Sequence, residues 1–129
     1  MVRAVRGFGF VTLMAAAVAM GATAAQASGN AAAGKQVFAR CAICHSNTKG
    51  APHKIGPNLW GVIGRKAGTQ PGFNYSAAMK KADFTWTDEK IEAYVMHPQQ
   101  VVPGNKMPFG GLSSHKQAEN LAAYLDTLK

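Results

Sequence analysis

Residues 41–45 read Cys41-Ala42-Ile43-Cys44-His45, and the rest of the chain has to be organised around this stretch. It holds the only two cysteines of the 129 residues, three positions apart, with a histidine directly after them. On a helical turn two such side chains are neighbours. A disulfide between them would close too small a loop to brace a fold. The remaining chemistries for this pattern are a dithiol redox site, a structural zinc site and covalent attachment of a c-type haem.

The surrounding sequence separates these three possibilities. A dithiol redox site belongs beside a strand in a βαβ unit, and no alternating strand pattern is present. A structural zinc needs four ligands, usually from a second closely spaced pair, whereas His53, His97 and His115 are scattered. Two thiols one turn apart can each add to a vinyl group of haem, and the following histidine then falls under the iron. The pattern therefore predicts haem c bound covalently at Cys41 and Cys44, with His45 as an axial iron ligand.

The N-terminal segment has the three parts of a secretory signal peptide. Arg3 and Arg6 make the first part basic, residues 7–25 carry no charge, and Ala25-Gln26-Ala27 is a small-x-small pattern suited to cleavage by signal peptidase. We predict cleavage of residues 1–27, a single mature domain over 28–129, and a location in the periplasm. The alternative is a retained membrane anchor, which the length of the apolar stretch allows. Its Ala- and Gly-rich composition, and the lack of a basic residue just after it, favour cleavage.

The mature chain is basic. Removal of Arg3 and Arg6 leaves twelve basic against six acidic residues, a formal charge of +6. Such a charge suits nucleic acid, a membrane surface or an acidic protein partner. Export and the dispersed lysines argue against nucleic acid, so we expect a carrier that docks on acidic proteins, acting as a monomer.

The apolar pattern predicts an all-α fold in which two terminal helices and shorter helices between them are joined by long loops. The first predicted helix spans residues 30–40, and a short one capped by Ser76 runs through Lys81. A third begins after Thr87 and ends at His97-Pro98. The last is opened by a capping box of Ser114 and Gln117. Its apolar face consists of Ala118, Leu121, Ala122, Leu125 and Leu128.

Met107 is the predicted second iron ligand. It lies between Pro103 and Pro108 in a rigid, irregular segment, where a core-filling role has little rationale. Met79 and Met96 sit in helical stretches and are better explained as core filler. A thioether ligand favours reduced iron and so raises the reduction potential relative to two histidines.

Taken together, these motifs resemble class I cytochromes c of the mitochondrial type and their periplasmic bacterial relatives. The resemblance covers Gly34 to Leu128. Besides the cysteine motif it rests on Gly56-Pro57-Asn58-Leu59, Gly64-Arg65-Lys66, Tyr75, Trp86, Tyr94 and Pro103-Gly104-Asn105-Lys106-Met107. It implies a small cytochrome c fold wrapped round one covalent haem. It also implies a one-electron carrier, not an enzyme, between respiratory, photosynthetic or dehydrogenase redox proteins.

The resemblance also implies roles for individual residues. The Pro57 carbonyl would accept a hydrogen bond from the His45 imidazole, and the Tyr94 hydroxyl would donate a hydrogen bond to the ligand sulfur. The residues implied to hold a buried haem propionate are Arg65, Tyr75 and Trp86. Those implied at the crossing of the terminal helices are Gly34, Phe38, Leu121 and Tyr124. The basic residues implied to ring the haem edge and contact acidic redox partners are Lys35, Arg40, Lys54 and Lys106.

The chain departs from the family pattern in two places. Met79 stands where an asparagine usually orders an internal water. Uncharged residues replace frequent lysines at Gln99, Gln100, Ser113 and Ser114. We expect His53 to brace a loop and His97 and His115 to be solvated. The alternatives to a carrier are a haem peroxidase and a gas-binding haem protein, both of which need an open sixth iron position.

Overall fold

The computed structural model describes residues 28–129, and the predicted signal peptide lies outside these described residues. The helices are α1 (Ala31–Phe38), α2 (Ala77–Lys81), α3 (Asp88–Met96), α4 (Pro98–Val101) and α5 (His115–Asp126). Over 28–129 the only β structure is an isolated antiparallel bridge between Lys66 and Thr85. The all-α prediction is therefore confirmed. None of the helices within 28–129 is long and apolar enough to cross a membrane.

Polar side chains begin four of the helices. The side-chain oxygens of Asn30, Ser76, Thr87 and Ser114 each accept a hydrogen bond from the backbone N–H three residues later. Each bond satisfies one of the N–H groups that a helix start leaves without an internal partner. Three of these caps follow from the sequence pattern, and Asn30, which was predicted to be the first residue of α1, caps it instead.

Three details differ from the prediction. Helix α1 ends at Phe38 rather than Arg40, because the chain tightens into turns with Cys41 N–H donating to Phe38 O at 2.8 Å. Helix α4 was not predicted. It begins directly at Pro98, which suits a first helical position because no N–H is needed there. Helix α5 ends at Asp126, and Leu128 is buried just beyond it.

The terminal helices cross where Gly34 meets α5. A Cβ built at Gly34 would lie 1.8 Å from the backbone oxygen of Asn120, so only glycine permits this approach. Beside it the rings of Phe38 and Tyr124 pack with centroids 5.4 Å apart, and Leu121 is buried. The structure thus has the crossing that the family resemblance implies. Gly29 makes a second close approach, since its Cβ would lie 2.1 Å from Glu119 O.

Candidate haem-binding site

The core surrounds a cavity of about 480 Å³. Its walls include every residue that the sequence analysis assigned to the site: Cys41, Cys44, His45, Pro57, Arg65, Tyr75, Trp86, Tyr94 and Met107. These residues come from loops and helices spread over 67 positions of the chain (41 to 107), and the fold brings them round one space. Their individual roles toward a cofactor stay predictions.

The cysteine motif forms a tight turn that follows α1. The N–H groups of Cys44 and His45 both donate to Cys41 O, at 3.0 and 2.8 Å. Both cysteines are free thiols and half-buried. Burial raises the pKa of the Cys41 thiol to about 11, which disfavours the thiolate on which dithiol redox chemistry depends. Within residues 28–129, no group of three His, Cys, Asp or Glu side chains is placed to hold a metal ion.

His45 is held by the carbonyl of Pro57. The Nδ1 atom lies 2.7 Å from this oxygen, which can only accept, so Nδ1 donates and Nε2 is left without a proton. Burial lowers the pKa of the imidazole, although the bond to Pro57 works in the opposite direction. A neutral ring with a free Nε2 is the form that ligates a metal.

The segment that carries Met107 is tied down through Asn105. The Asn105 side chain is buried, and its Oδ1 accepts from the Met107 N–H at 2.9 Å. Its Nδ2 donates to Pro98 O at 3.0 Å and to Val102 O at 2.9 Å. Gln99 adds two further bonds, from Nε2 to Asn105 O at 3.0 Å and from Gly104 N–H to Oε1 at 3.2 Å. Neither amide was assigned a structural role from sequence, because such contacts carry no sequence motif.

Arg65 contributes a partly buried cation at the wall of the cavity. Its guanidinium donates to Trp60 O at 3.2 Å, to Asn58 O at 3.3 Å and to Gln70 Oε1. Tyr75 joins this group, since its hydroxyl oxygen accepts from the Gln70 N–H at 3.2 Å. Burial lowers the pKa of Arg65. All of these partners are neutral, so the site retains a positive charge that an anionic group could neutralise.

Two aromatic residues close another wall. The rings of Trp86 and Tyr94 pack edge-on with centroids 5.1 Å apart, and both residues are buried. Burial raises the pKa of Tyr94 to about 12, so its hydroxyl keeps its proton and is a donor. The hydroxyl has no hydrogen-bond partner over residues 28–129, and its bond to the ligand sulfur stays a prediction. Met79 lines the same cavity in addition to filling the core.

The histidines outside the motif have the surroundings expected from sequence. His53 braces the long loop, with Nδ1 accepting from Asn58 N–H at 3.0 Å and Nε2 donating to Pro71 O at 2.8 Å. His97 is exposed. His115 is also largely exposed, but it lies 3.5 Å from Glu119 and 4.0 Å from Glu92.

The four predicted docking residues are all exposed: Lys35, Arg40, Lys54 and Lys106. Arg40 and Lys106 also line the cavity. The ammonium group of Lys54 donates to Ala42 O, and that of Lys106 donates to Asn74 O. Two of the four charges are therefore held by backbone carbonyls on neighbouring loops.

The residues present fit a covalent haem. The thiols of Cys41 and Cys44 are free, the unprotonated Nε2 of His45 is available, and Arg65 supplies a cation for an acidic substituent. Apolar side chains from α2, α3 and α5 make up much of the remaining wall, among them Met79, Ile91, Val95, Leu121 and Leu125. A flat apolar macrocycle with two carboxylates matches this combination.

Comparison with known proteins gives the same result. The family model for cytochrome c matches residues 31–129. Cytochrome c2 of Agrobacterium tumefaciens (strain II Chrys) is 44% identical over 100 residues, covering 75% of this chain and 90% of that protein. Cytochrome c2 of Rhodopila globiformis is 42% identical over 102 residues, covering 78% and 95%. The solved structure of cytochrome cH from Methylobacterium extorquens is similar with a TM-score of 0.72 and 41% identity, covering 77% of this chain and 99% of that one. The chain therefore belongs to the cytochrome c family, whose members bind one covalent haem c and carry electrons rather than act as enzymes.

Proposed function

We propose that this chain is an exported carrier that works in the periplasm, with its haem iron held by His45 on one side and Met107 on the other. Bound haem c supplies reversible one-electron chemistry at its iron. The observation that supports the haem site and its two ligands is the shared cavity, whose walls include the side chains of His45 and Met107 and both thiols.

The surrounding residues have matching roles in this proposal. Pro57 fixes the tautomer and orientation of His45, and Asn105 fixes the backbone of Met107. Arg65 and Tyr75 stabilise one haem propionate, with Trp86 beside them, because a desolvated carboxylate needs donors and a counter-charge. The Tyr94 hydroxyl donates to the methionine sulfur. A site closed by two protein ligands leaves no position for peroxide or a gas, which favours a carrier over the two alternatives.

Export is supported by the three-part N-terminal segment that ends at Ala27. N-terminal sequencing of the holoprotein, purified from fractionated cells, should find Ser28 as the first residue and the protein in the periplasmic fraction. Recovery from the membrane fraction with residues 1–27 intact would instead support the anchored alternative.

The proposed partners are redox proteins with acidic docking surfaces, such as an oxidase, a quinol-oxidising complex, a reaction centre or a dehydrogenase. The formal charge of +6 on residues 28–129 and the two exposed basic residues that line the cavity, Arg40 and Lys106, support this choice. Attraction between opposite charges raises the rate of encounter.

The ligand assignment is tested by replacing each methionine separately. Met107→Ala should leave haem attached, abolish the weak near-infrared band of methionine-ligated ferric iron, lower the reduction potential and raise peroxidase activity. Met79→Ala and Met96→Ala are the matched controls and should retain the band. The assignment is wrong if one of the controls loses the band and Met107→Ala keeps it.

Attachment is tested by a second pair of variants. Cys41→Ser combined with Cys44→Ser should give a chain without covalent haem and with little fixed structure, since the small core is built round the cofactor. Haem staining that persists on a denaturing gel of this double variant would contradict attachment at the two thiols.

A further inference from the structure

The side chain of Gln99 bridges two backbone groups of the loop that carries Met107. Its Nε2 donates to Asn105 O at 3.0 Å, and its Oε1 accepts from Gly104 N–H at 3.2 Å. A single carboxamide therefore accepts a hydrogen bond from one residue of the loop and donates one to the next. The bridged residues lie three and two positions before Met107, so a movement of this ligand away from the cavity would strain or break both bonds.

Gln99 and Met107 are connected through Asn105. The backbone of Asn105 is held by Gln99, while its buried side chain accepts from Met107 N–H and donates to two carbonyls of the α4 region. The network contains no charged group and links α4 to the ligand segment through amides and backbone alone. Gln100, the next residue along α4, is exposed and forms no side-chain hydrogen bond within residues 28–129.

From this geometry we infer that Gln99 is a positioning residue for Met107, holding the loop of residues 103–107 against the cavity and so limiting how often the sixth iron position opens. The inference rests on the proposed ligation by Met107. It gives Gln99 a role in ligation, which the family resemblance did not assign to it. A lysine here has three donors and no acceptor, so it cannot accept from Gly104 N–H.

The consequence can be measured with a competing ligand. Imidazole reaches ferric iron only when Met107 has left it, so its apparent affinity is proportional to the fraction of protein with the loop open. Gln99→Ala removes both bonds that must break on opening. We expect the open fraction, and with it the imidazole affinity of the ferric holoprotein, to rise about tenfold, which corresponds to about 1.4 kcal/mol.

Four variants separate positioning from a general loss of stability. Gln100→Ala removes the same side chain one residue away. Asn120→Ala removes a side-chain bond to Asn30 N–H at the crossing of α1 and α5. Gln99→Glu keeps the acceptor for Gly104 N–H but replaces the donor to Asn105 O with a carboxylate oxygen. The fourth variant, Met107→Ala, reports on the ligand assignment itself. These four variants, Gln99→Ala and the parent protein are each titrated with imidazole while the near-infrared band is followed. Each is also unfolded with denaturant, so that its change in imidazole affinity can be compared with its change in stability.

The inference predicts that Gln99→Ala and Gln99→Glu bind imidazole more tightly, while Gln100→Ala and Asn120→Ala stay within about twofold of the parent protein. It is overturned if Gln99→Ala leaves the affinity unchanged, or if Asn120→Ala raises it as much. A near-infrared band that survives Met107→Ala would instead refute the proposed ligand, and the inference with it. Loss of that band together with an unchanged Gln99→Ala would refute the inference alone.

Discussion

The imidazole of His45 lies directly against the backbone of Gly56, the residue before Pro57, whose carbonyl oxygen accepts a hydrogen bond from Nδ1–H. A Cβ built at Gly56 would lie 2.4 Å from Cε1 of His45 and 2.8 Å from Nε2. The ring is therefore fixed by a 2.7 Å hydrogen bond to Pro57 and by a steric limit at Gly56. A neutral ring that is both bonded and sterically confined has little freedom to turn its Nε2 away from the cavity.

Gly56→Ala should accordingly disturb the proximal side of the site. The added methyl group must displace the ring, and overpacking of this kind costs typically 1–3 kcal/mol. Denaturant unfolding of the oxidised holoprotein should show this loss. Gly110→Ala is the control, because a Cβ there meets nothing within 4 Å. Equal stabilities for the two variants would contradict the described packing of His45.

The crossing of the terminal helices yields a second prediction. Gly34→Ala should gain about 1 kcal/mol of helix propensity, but the new Cβ would lie 1.8 Å from Asn120 O. Since backbone cannot give way as a flexible side chain does, we expect a cost of about 3 kcal/mol and a net loss of stability. Ala32→Ser, at an exposed position of the same helix, is the control and should change the free energy of unfolding by less than about 0.5 kcal/mol. A Gly34→Ala protein as stable as the parent would show that the helices can separate without cost.

Much of the fold follows from local sequence features. Ser76, Thr87 and Ser114 are polar residues placed just before apolar periodic segments, and each caps a helix in the structure. Helix α4 is not predictable from the pattern, because four residues are too few to show a helical period and a proline after a helical segment indicates an end of helix. A proline can follow the end of one helix and also occupy the first position of the next, and the residues after it determine whether a new helix forms.

The candidate site was predictable to the extent that its chemistry is tied to residue type. The thiol pair, the histidine that follows it and the methionine between prolines are recognisable from their spacing, and the structure brings all of them to the wall of one cavity. The contacts of Gln99 and Asn105 were not predictable, because carboxamides that bind backbone have no sequence signature and depend on the path of the loop. The neutral partners of Arg65 were likewise unpredictable, since two of them are main-chain carbonyls.

Variants of Arg65 can separate the contribution of its hydrogen bonds to stability from the effect of its charge on the reduction potential. Arg65→Lys keeps the charge but cannot donate to Trp60 O, Asn58 O and Gln70 Oε1 together. It should lose about 1–3 kcal/mol of stability with little change in reduction potential. Arg65→Met should lose a similar amount of stability and also lower the potential, because removing a positive charge from the cavity wall would favour the oxidised, more positive state of a haem iron bound there. Denaturant unfolding and redox titration measure the two effects, and equal potentials for the two variants would argue against a charge effect.

The four uncharged residues that stand where the family resemblance leads one to expect lysines, Gln99, Gln100, Ser113 and Ser114, are not equivalent in the structure. The Gln99 side chain forms two hydrogen bonds to the loop that carries Met107, and the Ser114 hydroxyl accepts from Gln117 N–H at the start of α5. A lysine at either position would therefore alter the structure as well as the charge. Gln100 and Ser113 are exposed and make no side-chain hydrogen bond over 28–129. Likewise, Lys106 donates to Asn74 O and its ammonium group lies 5.3 Å from the centre of the Phe73 ring, whereas Lys35 is exposed on α1 and its side chain forms no hydrogen bond within the described residues.

Docking is therefore best tested with Lys35→Glu and with Gln100→Lys combined with Ser113→Lys. Attraction to an acidic partner is screened over about 8 Å at physiological ionic strength, so it acts mainly on association at low salt. We expect Lys35→Glu to slow stopped-flow electron transfer several-fold at low salt, and the double lysine variant to steepen the salt dependence. Lys49→Glu makes the same charge change at an exposed loop position that the family resemblance does not include in the ring of basic docking residues, and it should have the smaller effect. An equal effect of Lys35→Glu and Lys49→Glu would mean that net charge, and not the proposed ring of basic residues, governs the encounter.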